Sequence, residues 1–288
     1  MTPESPPASL DPLVLGPIVA RALEEDLAWG DLTTDALVPS DQQGRGHIIA
    51  KAAGVLCGLP DAQAVFHQVD AGVRFAALLP EGASLEPGMA VAAIEGHLAS
   101  ILKAERTALN FLQRLSGIAT ETARYVQAVA GTRARIIDTR KTTPGLRVLE
   151  KYAVRVGGGA NHRFHLGDGV LIKDNHLAAL RARGGSIADA VALARARAPH
   201  TVRIEVEVTS FAEAQEALAA GADLILLDNM SLEEMRRTVE WVAGRALLEA
   251  SGGVRLETVR AIAETGVDLI SVGALTHSVR ALDLSLEM

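Results

Sequence analysis

Five basic side chains stand close together in the middle of the sequence: Arg140, Lys141, His162, Arg163 and Lys173. Arginine offers planar, paired donors to carboxylates, while lysine and histidine add point donors, so the set suits an anion site. Arg140, Lys141 and Lys173 close the apolar runs ARIIDT (134–139) and GVLIKD (169–174), where a charge needs a partner or a ligand. The whole segment 133–173 holds six Arg and three Lys against Asp138, Glu150 and Asp168; this net +6 within a chain of −7 leaves −13 elsewhere. Arg147, Lys151 and Arg155, at i, i+4 and i+8 of a helix expected after Pro144, read as a solvated face. His162 with His165 matches no common zinc spacing and has no third ligand near it in sequence.

Acids oppose these cations. In VRIEVEV (202–208), Glu205 and Glu207 alternate with Ile204, Val206 and Val208, so both face one side of a strand, expected to be a barrel interior. Asp228 ends the next apolar run. Acids so placed either form an internal ion-pair network with the cations, or hold ribose hydroxyls or Mg²⁺, or face positive charge developing on a sugar. SGG (251–253) and a turn at Gly273 follow the last two runs, where a parallel barrel usually cradles phosphate.

Parallel strands are the elements able to gather these residues. ARIIDT, GVLIKD, VRIEVEV, DLILLD (223–228), ALLEAS (246–251) and DLISVG (268–273) are continuous apolar runs, as expected of strands covered on both faces. The last four begin 21, 23 and 22 residues apart, the length of a strand plus a crossover helix. Ser186/Asp189, Ser210/Glu213 and Ser231/Glu234 supply helix-start signals between them. This predicts a parallel barrel or doubly wound sheet, whose sites gather at the C-terminal strand ends. Upstream, a helix from Leu13 to about Trp29 precedes short strands around 46–57, 73–79 and 89–95, a helix at 60–69, and one or two helices over 100–130.

Composition narrows the function further. Hydrophobic residues make up 49% but aromatics only 3%, which argues against stacking platforms for single-stranded nucleic acid. The acidic balance argues against a phosphate-backbone partner, and no run is long enough for a membrane span. The lone Cys57 reads as a small buried hydrophobe in a reducing compartment, and the N-terminus lacks a signal peptide, so a cytoplasmic protein is expected. Residues 1–12, rich in Pro and Ser, are expected to be disordered.

The chain resembles the quinolinate phosphoribosyltransferase family. The matching text is EDLAWGDLTT (25–34), KAERTALNFLQRLSGIAT (103–120), DTRKTTPGLRVLEKYAV (138–154), GGGANHRFHLGDGVLIKDNH (157–176), IEVEV (204–208), ILLDNMS (225–231), EASGG (249–253) and ISVGALTHS (270–278). His165 departs from the family's usual glycine, which bears on the shape of that loop.

The resemblance implies an α/β protein: an N-terminal α/β sandwich-like domain (13–115), an open or incomplete parallel α/β barrel (116–275), and a C-terminal tail (276–288) packing back on the first domain. It implies transfer of phosphoribosyl from phosphoribosyl pyrophosphate to quinolinate with decarboxylation, in NAD biosynthesis, using Mg²⁺ and no organic cofactor. It also implies a homodimer in which Arg106 crosses the interface to join Thr139, Arg140, Lys141, His162, Arg163 and Lys173 at the dicarboxylate. Glu207 and Asp228 are expected at the ribose and its metal, and Ser251, Gly252, Gly253, Ser271, Val272 and Gly273 at phosphate. The expected catalytic set is Lys141, Lys173, Glu207 and Asp228. Two other readings are a Schiff-base aldolase using Lys173 and an anion-binding accessory protein like the family's molybdenum-transport-associated relative.

Overall fold

A computed structural model describes residues 10–288, so the disorder expected over 1–12 falls mainly outside the described residues. Pro12 is already helical: α1 (Pro12–Leu27) is capped by Asp11, whose carboxylate accepts the Leu13 N–H at 2.8 Å. Proline suits a first helical position because its missing N–H would have no partner there. There follow α2 (Leu32–Leu37), β1 (Gln43–Ala50), β2 (Gly54–Val55), α3 (Leu59–Val69), β3 (Arg74–Ala77), β4 (Ser84–Leu85), β5 (Ala90–His97) and α4 (Leu98–Ala128). Next come β6 (Arg135–Ile137), α5 (Arg147–Val156), β7 (Val170–Ile172), α6 (Asp174–Arg181), α7 (Ile187–Arg197), β8 (Ile204–Val208) and α8 (Phe211–Ala219). The remainder is β9 (Leu224–Asp228), α9 (Leu232–Val242), β10 (Leu247–Ser251), α10 (Leu256–Ala263), β11 (Leu269–Ser271), α11 (Ala274–His277) and β12 (Leu284–Glu287).

Two compact units result, and neither is continuous in sequence. The first takes residues through Ala123, Thr142–Gly158 and Leu275–Met288; the second takes Arg124–Lys141 and Gly159–Ala274. The boundary expected at 115/116 falls inside the single helix α4, which runs 31 residues.

In the first unit an antiparallel sheet runs β12-β1-β5-β3, and β2 pairs with β4. Its core includes Ile48, Leu56, Phe66, Ile94, Leu109, Leu112 and Ile118. Cys57 is buried as expected, and its thiol pKa is pushed well up by burial, then by Glu81 and Asp61. Glu81 caps α3 from a distance in sequence, accepting from Gly58 N–H (2.9 Å), Leu59 N–H (2.6 Å) and the Tyr152 hydroxyl (3.1 Å). The reading of Arg147, Lys151 and Arg155 as one solvated stripe is corrected here. Lys151 is fully buried because α5 is buried continuously from Leu149 to Val154, so its covered side is wider than a spacing argument assumes.

The second unit is the expected α/β structure: six parallel strands in the order β6-β11-β10-β9-β8-β7. An isolated parallel bridge from Ile137 to Ala160 extends this ring past β6. Among the described residues no pairing joins Ala160 to β7, so the barrel stays open there. Ser186/Asp189 and Ser231/Glu234 form complete capping boxes at α7 and α9. At α8 Ser210 caps, but Glu213 turns away to the Thr209 N–H (3.0 Å) and Arg181 (3.0 Å).

Candidate active site

In the second unit a cavity of about 590 Å³ opens at the C-terminal ends of the parallel strands. It is lined from β6 onward by Thr139, Arg140 and Lys141, from the following loop by His162 and Arg163, and by Lys173 after β7. Glu207 of β8, Asp228 of β9, and Ser251, Gly252, Gly253 and Ser271 complete most of the wall. Thus the cations, two acids and the glycine turn singled out from sequence meet in one place, as strand ends in a parallel sheet dictate.

Asp138, fully buried, shapes the basic side. Its carboxylate accepts the His162 N–H at 2.8 Å and the Asn161 Nδ2 at 2.7 Å, so the end of β6 fixes the loop that carries His162 and Arg163. Arg163 donates from Nη1 to the Gly169 carbonyl at 2.7 Å. Its pKa is lowered by burial first and then by the charge of Arg140, and both arginines line the same cavity. Such a pair is stabilised by an anion. His165 has no left-handed backbone, so this loop does not depend on a glycine at that position. The loop closes through the Phe164 N–H onto Asp168 Oδ2 at 2.7 Å.

His162 lines the cavity but turns its ring toward acids. Its Nδ1 accepts the Arg163 N–H at 2.7 Å, which in the neutral ring puts the proton on Nε2. Nε2 lies 3.2 Å from Glu205 Oε2 and 3.8 Å from Glu249 Oε2. Although His162, Glu205 and Glu249 are close enough to surround a metal ion, that ion would need the Nε2 lone pair which this tautomer lacks. Burial and the neighbouring Glu205 instead push the Glu249 carboxyl well up, toward its neutral form. Glu249 was not singled out from sequence, though a lone acid inside ALLEAS carries the same signal as Glu205.

On the acidic side, burial raises the Glu207 pKa; Lys173 opposes this, while Asp228 and Asp174 add to it. Lys173 Nζ stands 3.9 Å from Glu207 Oε2. Two carboxylates on adjacent strands facing one cavity provide the hard oxygen donors that Mg²⁺ prefers. Gly252 and Gly253 both have positive φ, 93° and 58°.

Three expected residues lie elsewhere. Val272 is buried and its N–H donates to the Ile137 carbonyl at 2.9 Å, continuing the β6–β11 ladder, so neither its amide nor its side chain is offered to phosphate. Gly273 is outside the cavity lining. Arg106 lines a separate cavity of about 460 Å³ within the first unit, with Arg21, Asp26, Asn110 and Arg114.

Residues 31–116 match the quinolinate phosphoribosyl transferase N-terminal domain, and residues 118–287 its C-terminal domain. The chain is similar to the nicotinate-nucleotide pyrophosphorylase [carboxylating] of Mycobacterium leprae, 46% identical over 94% of this chain and 95% of that one. The human protein of the same name is 41% identical over 97% and 93% of the two chains. A crystal structure of NadC from Streptococcus pyogenes superposes with a TM-score of 0.93 at 46% identity, covering 98% of each chain.

Proposed function

Because the chain belongs to the quinolinate phosphoribosyl transferase family, we infer that it transfers phosphoribosyl from phosphoribosyl pyrophosphate to quinolinate, releasing pyrophosphate and CO2 and giving nicotinate mononucleotide. The observation that carries this is one cavity lined by Arg140 and Arg163 together with Glu207 and Asp228. A simple oxyanion binder has use for the cations but not for the acids. A dicarboxylate joined to a sugar needs both.

Arg140, Lys141 and Arg163 hold the quinolinate carboxylates, with Thr139 beside them. The pyridine nitrogen attacks the ribosyl carbon as its bond to pyrophosphate breaks, and Glu207 and Asp228 face the positive charge that develops there. Mg²⁺, held with the substrate by Glu207 and Asp228, would neutralise charge on the leaving pyrophosphate. The nitrogen becomes cationic, so the ring accepts the electron pair left when the adjacent carboxylate departs as CO2. A proton then takes that carbon position, and Lys173 at the cavity wall is the cation placed to steady the transient carbanion. Ser251, Gly252, Gly253 and Ser271 receive the 5′-phosphate. The protein acts as a cytoplasmic homodimer in which Arg106 of the partner subunit completes the dicarboxylate site.

Purified protein with quinolinate, phosphoribosyl pyrophosphate and Mg²⁺ should form nicotinate mononucleotide and CO2 in equal amounts. Product from nicotinate in place of quinolinate, and none from quinolinate, overturns the assignment.

A further inference from the structure

At the end of β9 the chain adopts a backbone conformation that glycine usually takes. Asn229 has φ 52°, and among the described residues only Ala243, which ends α9, is also non-glycine with positive φ. Left-handed geometry is costly for residues with a side chain, asparagine tolerating it better than most. Asn229 is exposed to the cavity, so core packing does not demand the conformation. Strain of this kind is kept where the surroundings enforce it, commonly at functional sites.

Two hydrogen bonds and one close approach hold it here. The Asn229 N–H donates to the Ser251 carbonyl at 2.9 Å, joining the ends of β9 and β10. Its Nδ2 donates to Asp228 Oδ2 at 3.0 Å. A carboxylate only accepts, so the amide nitrogen must face Asp228 and the amide oxygen must face the other way. The whole amide lies against Gly252, where a Cβ would come within 2.2 Å of Oδ1, 2.4 Å of Cγ and 2.8 Å of Nδ2. Glycine at 252 thus does two things: it takes φ 93° and leaves room for the asparagine amide.

We propose that Asn229 is a positioning residue for the phosphoribosyl half of the site, clamping Asp228 by one carboxylate oxygen and packing its amide against the Gly252 turn. Asp228 is then left with Oδ1 to accept a ribose hydroxyl, and the turn is held ready for phosphate. The proposal rests on the phosphoribosyl transfer reading above.

Asn229→Gly separates backbone from side chain, because it keeps the left-handed turn without strain and deletes the amide. The expected outcome is an unchanged melting temperature, a KM for phosphoribosyl pyrophosphate raised roughly tenfold, and a KM for quinolinate changed less than about twofold. Asn229→Asp, which sets a like charge against Asp228, should be worse than Asn229→Gly. Calorimetric binding of phosphoribosyl pyrophosphate with Mg²⁺ reads the same effect without turnover, again as a roughly tenfold loss. Asn229→Gly with both constants and binding within about twofold of wild type overturns the proposal, since the turn alone would then suffice. Equal rises in both KM values overturn it too, by showing general damage. Wild-type protein that binds phosphoribosyl pyrophosphate but makes no product from quinolinate overturns the reaction assignment alone; failure to bind it overturns both.

Discussion

At the scale of single residues, the site works by placing charges where water screens them poorly. Arg163 lies beside Arg140 with its guanidinium partly desolvated, and that arrangement favours an anion that takes two donors from each fork. Arg163→Lys keeps the charge but loses the fork, so kcat/KM for quinolinate should fall about 10- to 100-fold, with the phosphoribosyl pyrophosphate KM little changed. A drop of less than threefold would remove Arg163 from the dicarboxylate seat. A second buried charge problem lies in the first unit, at Asp61. This side chain is fully buried, neither carboxyl oxygen has a hydrogen-bond partner beyond its own backbone, and burial, with Glu81 nearby, raises its pKa to about 7. In the unfolded chain the same group titrates at about 3.9, so the folded state holds a proton that the unfolded state has lost between those values. Stability is therefore fully present below pH 4 and falls as the pH rises through 7, by up to about 4 kcal/mol. Asp61→Asn should match wild type in melting temperature near pH 4 and exceed it by several degrees at pH 8. A wild-type melting temperature that is flat across that range would show that Asp61 does not carry the effect.

At the scale of elements, close approaches decide which residues are allowed. Gly117 sits inside the long helix α4, where glycine is ordinarily unfavourable. A Cβ there would lie 2.2 Å from the Arg280 carbonyl, so the C-terminal segment crosses the helix directly over this position. Gly117→Ala should lower stability by about 2 kcal/mol or more despite its better helix propensity, seen as a lower urea midpoint, and a rise would refute the contact. The strand-and-helix order of the barrel was legible in the sequence because buried parallel strands read as continuous apolar runs at even spacing. The anion and acid sets were legible for the same reason: each charge interrupts or ends such a run. Other features depend on contacts between distant segments. β12 pairs with β1 across more than two hundred residues, which no local pattern announces. Lys151 looks solvated by spacing and is buried by tertiary packing. Val272 sits in a glycine-flanked turn motif, yet its amide is spent in the ladder. Asn229 became visible only through its backbone angle and the space left by Gly252.

At the scale of the whole molecule, the role proposed for Arg106 at the dicarboxylate requires a second copy of the chain. The cavity that carries Arg140 and Arg163 is lined by residues of the second unit alone, and Arg106 lines a different cavity in the first. The proposed homodimer resolves this if Arg106 of the partner subunit enters the site, as closed two-fold symmetry would then supply two equivalent composite sites. Arg106→Ala and Arg140→Ala should each abolish most turnover by themselves. When the two variants are co-expressed, about half of the dimers combine one copy of each, and one site of each such dimer draws Arg106 and Arg140 from the unaltered positions of its two chains. Activity should therefore return to about a quarter of wild type, although neither variant is active alone. If both arginines served a site within one chain, every site in the mixed dimer would carry one of the two lesions. Co-expression would then give no more than the mean of the separate variants, and the shared-site arrangement would be excluded.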